Sequence, residues 1–333
     1  MTKKTIINGV LIVLLLALCV SFNACEKDGV FKPKQKISKI FADFKDYSYE
    51  WNEEIGEYEI TEILYPKQLV QDWTWDKNKL GKIDFWGFYF RWDDEIPTPM
   101  IYSTDRYFYE KNKLVRIEQD QGFYSEISYK GSKIEKLESY DGGRKLWQIM
   151  DFTYEKNKIS KILITIYPSD YAKNIEGKFL ATFLPKEFVS KIVKKTEKNR
   201  SKKSIESITF TVNYTYTGDN VKEMIITYNE EGYQFQFNAN YISYDTKHNP
   251  LYKKLGVDID EEFMFGNSIV SSKNNPLEAK YVYTEIDEED SYNSTAKYQF
   301  TYTYNKDFPT VTEIKIIDED GDIYTEKVYY EYQ

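Results

Sequence analysis

Apolar positions along this chain fall into two patterns. Near the N-terminus they form one unbroken run, Val10 to Val20. Through most of the remainder they recur in a fixed motif: two large apolar residues two apart, a polar turn, an aliphatic residue five positions after the second, and another three further on. The copies are Trp73/Trp75 with Leu80 and Ile83, Tyr107/Tyr109 with Leu114 and Ile117, Ile127/Tyr129 with Ile134 and Leu137, Phe152/Tyr154 with Ile159 and Ile162, and Tyr214/Tyr216 with Val221 and Met224. Ile37-Ser38-Lys39-Ile40 and Val189-Ser190-Lys191-Ile192 repeat the second half alone. Residues two apart share one face of a strand, so each copy predicts a β-hairpin. The turns, such as Glu110-Lys111-Asn112-Lys113 and Lys130-Gly131-Ser132-Lys133, hold the Asn or Gly that tolerate positive φ. Repeated supersecondary units bury their apolar faces against one another. The expected fold is therefore all-β, an antiparallel meander of hairpins in a twisted sheet able to curl on itself.

Composition supports this expectation. Tyr, Phe and Trp make up 17% of the 333 residues, and aromatic and β-branched side chains suit a pleated, half-buried surface. One segment is ambiguous. Across residues 185–197, Pro185, Phe188, Ile192 and Val193 have helical spacing, whereas Val189 to Ile192 copies a strand start and places a hairpin tip at Lys198 to Ser201. A sub-boundary is expected near residues 168–185, a short helix at Leu251 to Leu255 and a loop at Asp287 to Ser291.

The N-terminal run is too short to span a bilayer, which takes ~20 apolar residues. With Lys3 and Lys4 before it and Ala24 after it, it reads as an export signal. Phe22-Asn23-Ala24-Cys25 resembles the lipobox of bacterial lipoproteins, which implies cleavage before Cys25 and a lipid on that cysteine. Residues 1–24 are then the signal peptide, 25–36 a flexible tether containing Pro33 and several lysines, and 37–333 the repeat domain. Cys19 and Cys25 are the only cysteines, so the mature chain has neither a disulfide nor a catalytic thiol. The net charge of −9 becomes −11 once Lys3 and Lys4 leave, a balance that repels phosphate backbones and argues against nucleic acid.

The repeat resembles the tyrosine-rich, YD-like (Rhs-type) β-hairpin repeats of Bacteroidetes cell-envelope lipoproteins of unknown function. Further residues carry the resemblance: Tyr244-Asp245 followed by Asn249-Pro250-Leu251, the echo Asn275-Pro276-Leu277, and the closing Tyr302-Thr303-Tyr304-Asn305 with Phe308-Pro309-Thr310. It implies an outer-membrane protein, and Glu26-Lys27-Asp28 is similar to the leaders of surface-exported members.

Candidate chemistry is sparse. His248, the only histidine, lies beside the turn signal Asn249-Pro250, and no Gly-x-Ser-x-Gly elbow accompanies it. Asp318-Glu319-Asp320-Gly321-Asp322 has its glycine fourth where a calcium loop needs it sixth, so a hairpin turn is expected between strands 313–317 and 323–332. Asp258/Asp260/Glu261/Glu262 and Asp287/Glu288/Glu289/Asp290 are the acidic groups from which a glycosidase pair would be drawn. The lysines and arginine from Lys191 to Lys203 read as protection of an edge hairpin or, less simply, as a contact for anionic lipid or polysaccharide. No catalytic, cofactor or metal residue is assigned. The expected function is a non-catalytic envelope module held by a lipid on Cys25 that binds a glycan or a protein through its aromatic ladder. A carboxylate-dependent polysaccharide hydrolase is the alternative.

Overall fold

The computed structural model describes residues 31–52, 57–89, 98–167, 207–230, 233–254, 272–287 and 291–333. Cys25, the signal segment, residues 185–197, the acidic group at 258–262 and the basic group at 191–203 lie outside the described residues. So does the half-motif at Val189.

Sixteen antiparallel strands follow one another around the sheet: β1 (Ile37–Asn52), β2 (Glu57–Asp76), β3 (Lys79–Tyr89), β4 (Thr98–Glu110), β5 (Lys113–Glu118), β6 (Tyr124–Lys130), β7 (Lys133–Tyr140), β8 (Leu146–Glu155), β9 (Lys158–Ile166), β10 (Ile208–Thr217), β11 (Asn220–Glu230), β12 (Tyr233–Tyr244), β13 (Pro276–Asp287), β14 (Ser291–Asn305), β15 (Phe308–Ile317) and β16 (Ile323–Tyr332). The expectation of an open, twisted or curled sheet is wrong. β16 pairs with β1, Tyr332 against Ile37 through Val328 against Ala42, and the meander is a closed barrel. Closure leaves no free edge along that ladder, which an open sheet would expose. The short helix expected from Leu251 is a turn through Lys253, while the hairpin around Asp320-Gly321 forms between β15 and β16.

The repeat spacing has a structural cause. Strand periodicity is two, so an interval of three between inward residues requires an extra residue. Tyr107 faces Ile117 and Tyr109 faces Leu114, with a register shift that leaves Val115 as a β-bulge. The same shift recurs at Gly81, Glu135, Ser160 and Lys222. A sixth copy at β14/β15 has Tyr302/Tyr304 with Pro309 and Thr312 in the aliphatic positions. The seam is a seventh, split between the chain termini: Tyr330 and Tyr332 supply the aromatic half, Ile40 and Ile37 the aliphatic half.

Each bulge disturbs the ladder and leaves a carbonyl in need of a donor. At four bulges the outer aromatic of the neighbouring hairpin supplies it. Trp75 Nε1 donates to the Ile37 carbonyl at 2.7 Å, Tyr129 to Leu114 at 2.6 Å, Tyr216 to Ile159 at 2.7 Å, and Tyr332 to Pro309 at 2.6 Å. These copies of the motif fasten their own hairpin and the next.

Inward residues form a dry core that runs from Phe31 to Val328, with Ile83, Leu137, Ile162, Val212, Phe235 and Phe237 fully buried. Burying one such side chain stabilises the fold by ~1.5–3 kcal/mol. On β10 the outward positions are polar: Thr209, Thr211, Asn213 and Thr215 alternate with buried Ile208, Phe210, Val212 and Tyr214, whereas Phe108, Ile242 and Ile286 on other strands are exposed apolar residues.

Candidate functional site

The sense of the wall decides how the barrel meets its surroundings. A membrane-spanning barrel carries an apolar band outside and polar groups inside, and a Lys or Arg on its lipid face costs ~2–4 kcal/mol at mid-bilayer. Here the arrangement is inverted. Ion pairs lie across the outer surface, including Lys45 with Glu62 (2.9 Å), Arg116 with Glu118 (2.8 Å) and Glu126 (3.1 Å), and Lys327 with Glu313 (3.1 Å). The core inside holds aromatic and aliphatic side chains. The wall is built to face water.

The two rims differ. The two-residue turns after β2, β4, β6, β8, β10 and β14 lie at the rim where β1 starts and β16 ends, because the even-numbered strands finish there. This turn rim is closed over. Phe31 packs against Trp73 and Trp75 with ring centroids 6.3 and 5.8 Å apart. Leu251, from the connection between β12 and β13, is buried in the same core, and Lys254 Nζ lies 5.1 Å from the Trp73 ring centroid.

Several residues singled out in the sequence converge at this rim. Asp245 Oδ1 accepts from the Lys247 amide at 3.0 Å and the Asn275 amide at 3.1 Å, while Oδ2 accepts from Asn275 Nδ2 at 3.1 Å and from the Tyr304 hydroxyl. Four donors occupy the four lone-pair directions of a carboxylate. None is left for a proton or a metal. The Tyr304 hydroxyl has its pKa raised, first by burial and then by its hydrogen bond to that anion, so it stays a neutral donor. Tyr244-Asp245, Asn275-Pro276 and Tyr302 to Tyr304 are therefore one clasp that holds the β12–β13 connection over the core.

His248 sits at the edge of the clasp. Its Nε2 lies 2.7 Å from Lys34 Nζ, its ring is against Phe308 with centroids 5.6 Å apart, and its amide donates to the Asp307 carbonyl at 3.1 Å. An ammonium group only donates, so Nε2 accepts here and faces no hydroxyl that it would activate. Asp307 is held below the usual carboxylate range by its hydrogen bond from Lys247, at 2.7 Å. At the opposite rim, Asp318 Oδ1 accepts from the amides of Asp320 (3.1 Å) and Asp322 (2.8 Å), so its own turn uses it.

Sequence reasoning missed two interior carboxylates. Asp105 accepts from Gln119 Nε2 at 3.0 Å, and Glu285 accepts from the Tyr283 hydroxyl at 2.7 Å. An acidic residue two positions from an inward tyrosine was the available signal, since residues two apart share a face. Of the acidic groups proposed for a hydrolase, only the backbone of Asp287 falls among the described residues.

No family model matches the chain, and no curated protein matches it. Among solved structures, a porin-like protein from Bacteroides uniformis ATCC 8492 overlaps 92% of this chain and 100% of its own at 11% identity, with a TM-score of 0.48. A porin-like protein from Bacteroides vulgatus ATCC 8482 overlaps 90% and 99% at 11% identity, with a TM-score of 0.42. Overlaps this loose transfer neither a pore nor a role to this chain, whose architecture stands on its own strand pairing.

Proposed function

We propose that the chain is an envelope lipoprotein, acylated at Cys25, whose barrel stands in water beside the outer membrane and presents its far rim to a protein partner without catalysing a reaction. The polar outer wall carries this reading, because it leaves the lipid on Cys25 as the attachment. The far rim supplies the contact. Met100, Ile101 and Tyr102 of β4 and Ile323 and Tyr324 of β16 are between 43% and 58% exposed there. Exposed large apolar side chains gathered on one rim suit a protein contact.

A glycan is the weaker ligand for this site. Most of the aromatic ladder on which sugar rings would stack is spent in the core and in bonds between hairpins. Photo-crosslinking in intact cells tests the assignment. A crosslinker at Tyr324 is expected to capture a discrete protein adduct that one at Asn213, on the mid-wall, does not. Equal adducts from both positions, or none from Tyr324 alongside retention on a glycan array, would replace this reading.

A further inference from the structure

We propose that the turn rim is a membrane-docking face whose lysines sit on the phosphates of an anionic lipid surface; this rests on acylation of Cys25. Four hairpin tips carry the argument. Lys77, Lys111, Lys156 and Lys306 occupy the first turn position with φ of 53°, 45°, 47° and 58°, and all four are exposed. Gly131 and Gly218 hold the equivalent position in the other two hairpins, at φ of 65° and 58°. Glycine and asparagine are at ease in this left-handed region and lysine is strained. Strain recurring in one residue type, at one turn position, on one rim, points to the charge as the reason for it.

Electrostatics and reach agree. The chain carries a net −9, yet this rim concentrates cations. Behind the tips, Lys113 and Lys133 stand over the rings of Tyr129 and Tyr154, at 4.5 and 4.9 Å, which fixes them without neutralising them. The acidic groups present are largely occupied: Asp219 by Lys158 and Lys273, Asp307 by Lys247. Asp76, Glu110 and Glu155 remain beside the tips, a minority of the charge there. The tether leaves from this rim, since Gln333 N donates to the Lys36 carbonyl at 2.9 Å and Phe31 packs on Trp75. Six residues from Cys25 to Phe31 reach at most about 20 Å. A lipid on Cys25 therefore brings this rim, and not the far one, to the headgroups, where each lysine strengthens attraction to an anionic leaflet roughly fivefold.

The test places the lipidated full-length protein on vesicles of phosphatidylcholine alone or with phosphatidylglycerol. A donor fluorophore sits at Glu110→Cys on the turn rim or at Lys145→Cys on the far rim, with an acceptor dye on the headgroups. Energy transfer is expected to favour Glu110→Cys over Lys145→Cys more strongly on anionic vesicles than the anchor alone produces on phosphatidylcholine, and high salt should remove that excess. The variant K77G/K111G/K156G/K306G keeps the turn geometry and should lose the excess asymmetry while melting no lower than the parent. Equal transfer from both rims, or an unchanged asymmetry in the variant, overturns the docking face. Protein that floats with neither vesicle overturns the docking face, and protein that floats with the anionic vesicles but not with phosphatidylcholine alone removes the acylation reading instead. The same protein sedimented with anionic vesicles then decides the lysines separately: binding weakened at least about tenfold in the variant supports them, and equal binding refutes them.

Discussion

At the turn rim six hairpins reverse within two residues, four outer aromatics reach the backbone of a neighbouring hairpin, and Phe31 with Leu251 covers the core. At the far rim, β1 and β2 continue as a pair to Asn52 and Glu57, well past the points where β1 leaves β16 and β2 leaves β3. Large apolar side chains lie exposed there, Leu64 and Tyr102 among them. The contrast separates two tasks that one sheet performs. Repetition with bonded neighbours sets the barrel's closure at one rim, and the other rim is released from that constraint.

The comparison breaks most completely by removing the seam. Truncation after Asp322 deletes β16 and leaves β1 and β15 unpaired along the ladder; we expect no cooperative thermal unfolding and aggregation on size-exclusion chromatography. Core truncation sharpens it next. Leu137→Ala, at a fully buried repeat position, should cost roughly 2–5 kcal/mol in denaturant unfolding, while Leu64→Ala at the far rim should stay within about 0.5 kcal/mol. Asp245→Ala strips an acceptor from four donors and should cost about 1–3 kcal/mol, and exposure of Trp73 measured by fluorescence quenching should rise with it.

A pH effect belongs to the turn rim as well. Burial pushes the Tyr109 hydroxyl up to about 12. A folded-state value above the unfolded one of ~10 favours the neutral phenol, so its contribution is complete below pH ~10 and is lost as pH rises towards 12. Stability measured through that window should fall less steeply in Tyr109→Phe, after allowing for the lost hydrogen bond with the Leu80 backbone. The smallest effect has the opposite sign. Lys111→Gly relieves a left-handed lysine and should raise stability by a few tenths to about 1 kcal/mol, seen as a higher denaturation midpoint.

The hairpins were legible because their signal is local. The spacing of Tyr107, Tyr109, Leu114 and Ile117 encodes two strands, a turn and a bulge, and the observed pairing reproduces it. Closure was not legible, since an open and a closed sheet bury the same face and display the same alternation. The available clue was an unmatched half: Ile37 and Ile40 lacked aromatics before them, and Tyr330 and Tyr332 lacked aliphatics after them. The sixth hairpin escaped because Pro309 and Thr312 are buried in place of aliphatics. At the clasp, the members of the Asp245 cluster were noticed one by one. Their convergence depends on contacts 30 and 59 residues apart that no periodicity records.

The split seventh motif has a consequence for the order of the chain itself. With its ends hydrogen-bonded side by side, the ring has no geometrically required beginning, and a version with Gln333 joined to Lys36 and opened at another hairpin tip would contain the same ladder. The present opening fixes something besides folding: under the proposed acylation of Cys25 it sets the point on the circumference from which the barrel would hang, and hence which arc of the opposite mouth would swing furthest from the lipid.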